Sequence, residues 1–211
     1  MRKISPNQIK RRNLKLKFKE PGIPTGISNR HVHLSQEDLE VLFGRGYELT
    51  PIKDLGQPGQ YACQETVIIV GPKGAIEKVR ILGPVRKETQ IEISRTDAFK
   101  LGVKPPVRDS GLLEGTPGIT IVGPKGAVVK EKGVIIAKRH IHMTPEDAEK
   151  YSVSDKDLVA VYCKSNDREL IFKDVLVRVS PKYALEFHVD TDEGNAAMLN
   201  NGDLVWIVEE F

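Results

Sequence analysis

All five histidines of the sequence lie in segments that could build a metal centre. Four of them form two His-x-His pairs, and one stands alone near the C-terminus: His31 and His33, His140 and His142, and His188. Residues two apart on an extended backbone project from the same side, so both imidazoles of a pair can reach one ion. Because imidazole is the commonest metal ligand in proteins, the two pairs predict metal chemistry.

The two pairs belong to an internal repeat. Residues 29–38 read NRHVHLSQED, and residues 138–147 read KRHIHMTPED. In each copy an arginine precedes the pair, and Ser35 or Thr144 with acidic residues follows it, which is typical of a capped helix start. A single His-x-His could be a chance surface pair, but repetition in the same context favours metal binding. The sequence therefore predicts a short helix directly after each pair.

Two further ligand candidates stand at related places in the two halves. Glu92 lies between Ile91 and Ile93, and His188 lies in a second alternating segment. Aligning the halves at their Gly-Pro and Ser-Pro turns brings Glu92 and His188 within one position of each other. Six ligands exceed what one structural tetrahedral zinc needs but suit two catalytic ions. Ligand type favours zinc over iron or cobalt.

The elements needed to position these ligands are short strands. Many β-branched segments with Gly and Pro turns predict a mostly β fold, with two small β-barrel domains related by internal duplication and short capping helices. Residues 24–115 would form the first barrel, with His31, His33 and Glu92. Residues 116–211 would form the second, with His140, His142 and His188. Exchange of strands between the halves remains open.

Residues 1–23 are predicted to be a basic N-terminal extension. Residues 1–20 hold eight Lys or Arg against one Glu, a charge of +7, and the whole-chain net charge of +3 leaves −4 for the other 191 residues. The body therefore does not predict a nucleic-acid-binding surface. The extension could be a nucleic-acid arm, a docking peptide or a solvated tail.

No apolar stretch predicts a membrane helix or a secretory signal, so we expect a cytoplasmic protein.

Arg86 is a candidate anion ligand. It precedes Glu92 by six residues, and the second half, which reads SPKYAL there, has no basic residue at the aligned place. Guanidinium suits bidentate binding of phosphate or carboxylate, although a surface arginine in a turn is the alternative. Lys73, in a Gly-Pro-Lys-Gly turn, could also present a charge to a phosphate, but the turn is typical of hairpin structure.

This ordered set of motifs resembles the phosphate propanoyltransferases, or PduL-type phosphotransacylases. The likeness runs over Gly26–His33, Gly83–Arg86, Ile91–Glu92, Arg139–His142 and Phe187–Glu193. The resemblance implies a two-barrel protein, commonly a homodimer. It also implies exchange of coenzyme A for phosphate on a short acyl group, so that propanoyl-CoA or acetyl-CoA and phosphate give an acyl phosphate and CoA.

The resemblance also implies roles for individual residues. Two zinc ions would be held, with Glu92 in a position to bridge, by His31, His33, Glu92, His140, His142 and His188. Arg86 would bind phosphate, and Ser110 resembles a positioning serine of the active site, so Arg86, Glu92 and Ser110 are the expected catalytic residues. The expected CoA contacts are Ile27, Ser28, Lys73, Arg80 and Asn195.

Some relatives in bacterial microcompartments, including those of propanediol degradation, carry an N-terminal encapsulation peptide. Here Leu14, Leu16 and Phe18 alternate with lysines, a strand-like spacing that does not predict an encapsulation helix. Association with a microcompartment remains open. Two other classes also remain open: a binuclear zinc hydrolase acting on a thioester or phosphate ester, and a non-catalytic scaffold stabilised by metal.

Overall fold

The computed structural model describes residues 16–165 and 167–210. Within these ranges the protein is mostly β, with sixteen strands in two sheets and four short helices. The prediction of a mostly β fold is confirmed. Most of the basic extension, residues 1–15, lies outside the described residues.

Six strands close into a barrel. In order around it they are β16 (Leu204–Glu210), β13 (Leu158–Cys163), β14 (Leu170–Val179), β12 (His140–Met143), β15 (Glu186–Asp190) and β2 (Ile23–Ser28). β2 pairs again with β16, which completes the ring. A short strand, β1 (Lys17–Phe18), extends β16. The alternating strands fill the interior with apolar side chains such as Ile141, Phe187 and Val205, all fully buried.

The second sheet curls into a half-barrel but stays open. Its order is β10 (Ala127–Lys130), β9 (Ile119–Val122), β5 (Tyr61–Gly71), β6 (Gly74–Gly83), β3 (His31–His33), β7 (Gln90–Glu92), β11 (Val134–Ala137) and β8 (Val107–Arg108), with β4 (Pro51–Asp54) on β5. The end strands β10 and β8 do not pair in the part of the chain described, and Val129 on β10 is 78% exposed. Of the two predicted barrels, the structure thus closes one.

Sheet membership does not follow chain order. β2 precedes the first histidine pair in sequence but lies in the barrel, parallel to β15. Conversely, β9 and β11 come after residue 115 in sequence but lie in the half-barrel, where β9 pairs with β5 and β11 pairs with β7. Each sheet therefore contains strands from the other side of the sequence division, an exchange that the repeat alone left open.

Four capped helices follow the strands that carry the ligand candidates. They are α1 (Gln36–Phe43), α2 (Arg95–Leu101), α3 (Pro145–Lys150) and α4 (Thr191–Ala197). Ser35 and Thr144 accept hydrogen bonds from the third residue of α1 and α3, which confirms the predicted helix starts. Gly44 ends α1 at φ 111°, a value that glycine adopts without strain. No helix in the described ranges is long and apolar enough to cross a membrane.

Candidate metal centre

Two equivalent strand pairs position the ligand candidates. In the half-barrel, β3 runs antiparallel to β7 with His31 opposite Glu92. In the barrel, β12 runs antiparallel to β15 with His140 opposite His188. Glu92 and His188 therefore occupy the same place in the repeat. Within each group of three, one ligand atom per residue lies within 4.8 Å of the others: His31, His33 and Glu92, and His140, His142 and His188.

Backbone carbonyls orient three of the histidines. Nδ1 of His31 and Nδ1 of His140 lie 2.8 and 2.7 Å from the carbonyl oxygen two residues earlier. Nδ1 of His33 lies 3.2 Å from the carbonyl of Leu82. A carbonyl only accepts, so each of these Nδ1 atoms carries a proton. In a neutral ring Nε2 then keeps its lone pair and can bind a metal ion. Histidines in metal sites are arranged in this way, with the other ring nitrogen held by a hydrogen bond.

His142 lacks such a partner. The residue is 6% exposed, and its Nδ1 is buried without a hydrogen-bond partner among the described residues. A buried polar atom that forms no bond costs free energy, and a metal ion is one group that would satisfy it. This unpartnered nitrogen therefore fits a metal site.

Burial keeps three of the histidines neutral. It lowers the pKa of His33 and of His140 to about 3 and the pKa of His142 to about 2, and neighbouring imidazoles add to each shift. A neutral imidazole has the lone pair that a metal requires. The chemistry of these side chains is therefore that of ligands and not of surface cations.

His31 and Glu92 form the charged part of the centre. Burial alone would lower the pKa of His31, but the Glu92 carboxylate, with Oε2 3.5 Å from Nε2, raises it. Burial alone would raise the pKa of Glu92, but His31 and then His33 outweigh it and hold that pKa far below its usual range. The carboxylate thus favours a positive charge beside it, which a bound cation would supply.

A carboxylate that the sequence did not single out holds His188. Oε2 of Glu186 lies 2.7 Å from Nε2 of His188 and accepts a 3.1 Å hydrogen bond from Nε2 of Gln57. The alternation of β15 puts Glu186 and His188 on one face, so the pattern could have identified Glu186. Gln57 comes from the loop between β4 and β5 of the half-barrel, and no local pattern marks it.

Arg86 connects to Glu92 through Ser110. Nη1 of Arg86 donates to Oγ of Ser110 at 3.1 Å, and that hydroxyl donates to Oε1 of Glu92 at 3.1 Å. Nε2 of Gln90 donates to both Ser110 and Glu92, and Oε1 of Gln90 accepts from the N–H of Gly111. The three residues expected to be catalytic therefore form one hydrogen-bonded chain, and Gln90 is an unforeseen member.

One cavity of about 820 Å³ contains both groups of ligands. Of the residues singled out in the sequence, those on its wall are the six ligand candidates and Ile27, Ser28, Arg80, Arg86 and Ser110. Its size falls within the usual range for ligand pockets. Residues on its wall that the sequence did not single out include Lys53, Gln57, Arg178, Tyr183 and Glu186.

Two of the expected CoA contacts do not line this cavity. Lys73 is exposed in the turn between β5 and β6, where its N–H donates to the carbonyl of Leu101. Asn195 is exposed on α4. A different amide side chain, that of Asn201, lines the cavity. Its Oδ1 accepts a 2.7 Å hydrogen bond from the N–H of Ile27.

Comparison with known proteins shows the family of the chain. A family model described as phosphate propanoyltransferase matches residues 24–200. A phosphate propanoyltransferase of Thermotoga maritima is 77% identical over 191 residues, 90% of this chain and 91% of that protein. Proteins of the same name from Listeria monocytogenes and Clostridioides difficile are 54% and 52% identical, over 87% and 91% of this chain and 85% and 91% of their own. The chain belongs to the phosphate propanoyltransferase family.

Proposed function

We propose that the protein transfers a short acyl group between CoA and phosphate, with propanoyl-CoA and phosphate giving propanoyl phosphate and CoA. Family membership supports the reaction class. The observation that carries the proposal is the chain from Arg86 through Ser110 to Glu92, which links an anion-binding side chain to a ligand candidate inside one cavity.

The two ligand groups would hold two divalent ions, and the predominance of imidazole favours zinc. When bound, such ions would polarise the thioester carbonyl and stabilise negative charge on its oxygen. Glu92 faces Ser110 with one oxygen and His31 with the other, so its carboxylate would serve the half-barrel ion, and bridging to the second ion stays a prediction.

The chain's own residues bind and orient the second substrate. The guanidinium of Arg86 offers paired donors to a phosphate, and Ser110 fixes the direction of one of them. A phosphate oxygen then forms a bond to the acyl carbon while the C–S bond breaks, and the hydrogen of hydrogenphosphate ends on the CoA thiol. Holding the phosphate beside the thioester converts a bimolecular encounter into a positioned attack.

The CoA moiety would enter past the end of β2, where Ile27 and Ser28 line the cavity together with Arg80. Contacts of CoA with Lys73 and Asn195 stay predictions, because neither residue lines the cavity.

We further propose a homodimer in the cytoplasm. Deleting residues 1–20 and following the location of the protein would test whether the basic extension directs it to a microcompartment.

One assay tests the function. CoA release from propanoyl-CoA is measured with and without phosphate, with metal analysis on the same sample. Strict dependence on phosphate, with about two metal ions per chain, is the result expected for the transferase. Release without phosphate would indicate a hydrolase, and no release from a fully metal-loaded protein would indicate a scaffold.

The variant Arg86→Ala tests the role of the phosphate ligand. We expect kcat/KM for phosphate to fall about 100-fold to 1,000-fold, the range found when one donor to a reacting anion is removed, with the metal content unchanged. Arg45→Ala, at an exposed position away from the cavity, is the matched control. Unchanged phosphate kinetics in Arg86→Ala would contradict this role.

A further inference from the structure

Arg178 lines the cavity from the sheet opposite to that of Arg86. Arg178 stands on β14, which runs parallel to β12 and places this residue beside His142. Arg86 comes from the half-barrel segment between β6 and β7. Arg86 and Arg178 thus line the same cavity from opposite sheets. Arg30 and Arg80 line it as well, but Arg30 pairs with Asp97, and Arg80 donates to the carbonyls of Cys63 and Gln64.

Tyr183 holds Arg178 in this position. Nη2 of Arg178 donates to the hydroxyl of Tyr183 at 3.2 Å, and its Cζ lies 5.6 Å from the centre of the tyrosine ring. That ring also packs against His142, with 4.3 Å between the ring centres. A cation held by a ring and a hydroxyl keeps its remaining N–H donors available for another acceptor.

The charge of Arg178 lacks a direct partner. Arg30 and Arg139 pair with Asp97 and Glu193, but no carboxylate oxygen in the described ranges lies within 4.0 Å of Arg178. Arg178 also acts on Arg86. Burial lowers the pKa of Arg86, Glu92 opposes that shift, and the positive charge of Arg178 adds to it. Two like charges facing one cavity favour binding of an anion between them.

We propose that Arg178 is a second binding residue for the phosphoryl group, which it contacts from the barrel side while Arg86 contacts it from the half-barrel side. The inference rests on the proposed function and deepens it. Hydrogenphosphate and the acyl phosphate are both dianions, and two guanidiniums match that charge. Because the phosphoryl group carries this charge before and after transfer, Arg178 acts on substrate affinity more than on the chemical step.

The test compares Arg178→Gln, Arg178→Lys and Tyr183→Phe with the unmodified protein in the forward assay. We expect KM for phosphate to rise about 10-fold to 100-fold in Arg178→Gln, the equivalent of one charge-assisted hydrogen bond, while KM for propanoyl-CoA changes less than about twofold. Arg178→Lys should recover part of the lost phosphate affinity, because lysine restores the charge but not the paired N–H donors of the guanidinium. Tyr183→Phe should show a smaller rise.

Metal analysis and phosphate binding complete the test. Stabilisation of the metal-loaded protein by inorganic phosphate, measured as a rise in Tm, should weaken in Arg178→Gln with both ions retained. An unchanged KM for phosphate, an equal rise in both KM values, or metal loss in both Arg178 variants would overturn the proposal. If the unmodified protein itself releases CoA without phosphate, the proposed function fails, which is a different result.

Discussion

The two ligand groups have the same scaffold but carry their negative charge in different places. In the half-barrel the carboxylate of Glu92 is itself a ligand candidate, and the neutral amide of Gln90 supports it. In the barrel the corresponding ligand candidate is His188, and Glu186 supports it. The ladders make the correspondence strict, since Gln90 lies opposite His33 as Glu186 lies opposite His142. The two halves thus share the geometry, but the carboxylate is a ligand candidate in one half and supports a ligand candidate in the other.

This difference implies a division of labour. Three neutral imidazoles leave an ion more of its positive charge than two imidazoles and a carboxylate do, so we expect the barrel ion to be the stronger Lewis acid. The half-barrel group is the one connected to Ser110 and Arg86. The barrel side is therefore suited to the thioester carbonyl, and the half-barrel side to the phosphate.

The largest effect is expected from changing the one charged ligand. Glu92→Gln should remove the half-barrel ion, lower the metal content from about two to about one ion per chain, and reduce turnover by at least about 100-fold, because several kcal/mol of charge stabilisation would be lost. Metal analysis and initial rates measure both quantities.

Glu92→His is the matched control, since it gives both halves three imidazoles. It should retain two ions and still turn over slowly, because the charge pattern has become symmetric. Full activity in Glu92→His would show that the difference between the two groups is unimportant.

An intermediate effect is expected from the supporting carboxylate. Glu186→Gln should weaken metal binding about 10-fold to 100-fold in the barrel group alone, because an uncharged amide oxygen is a weaker acceptor for the ring of His188 than the carboxylate is. Competition with a chelator, followed by metal analysis, measures the affinity of each ion. Glu146→Gln, an exposed carboxylate on α3, is the control. Equal weakening of both ions would contradict the assignment of Glu186 to His188.

The smallest effect concerns the arginines that precede each pair. Arg30 and Arg139 form repeated ion pairs with Asp97 and Glu193, each with an N–O distance of 2.8 Å. Both arginine side chains are about one-third exposed, so Arg30→Met and Arg139→Met should each lower the free energy of unfolding by about 1 kcal/mol or less. Denaturant titration measures this. A loss of several kcal/mol in one variant would show that the pairs are not equivalent.

Local features and those that the repeat duplicates were predictable from sequence. Ser35 and Thr144 cap helices because cap chemistry is local, and the repeat itself related Glu92 to His188. The alignment was less reliable in the turns. Segments of equal length separate Arg80 from Glu92 and Leu176 from His188, so Lys182 corresponds to Arg86 in the repeat. Lys182 is exposed and does not line the cavity, so the two positions still differ in the fold.

Long-range pairing was not predictable. Nothing in β14 indicates that it will lie parallel to β12, yet only that register brings Arg178 beside His142. The contact of Gln57 with Glu186 likewise depends on how a loop of one sheet meets a strand of the other. The exposure of Lys73 follows from the direction of a turn, which its Gly-Pro-Lys-Gly sequence does not specify.

The exchange of strands makes the two sheets mutually dependent. Removing either half of the sequence would take β2 out of the barrel or β9 and β11 out of the half-barrel and expose unpaired backbone edges. Neither half can then be expected to fold alone, and the chain should unfold in one cooperative transition. The distance between the two ligand groups is consequently maintained until the whole protein unfolds. A reaction that uses both groups therefore needs no hinge motion to bring them together.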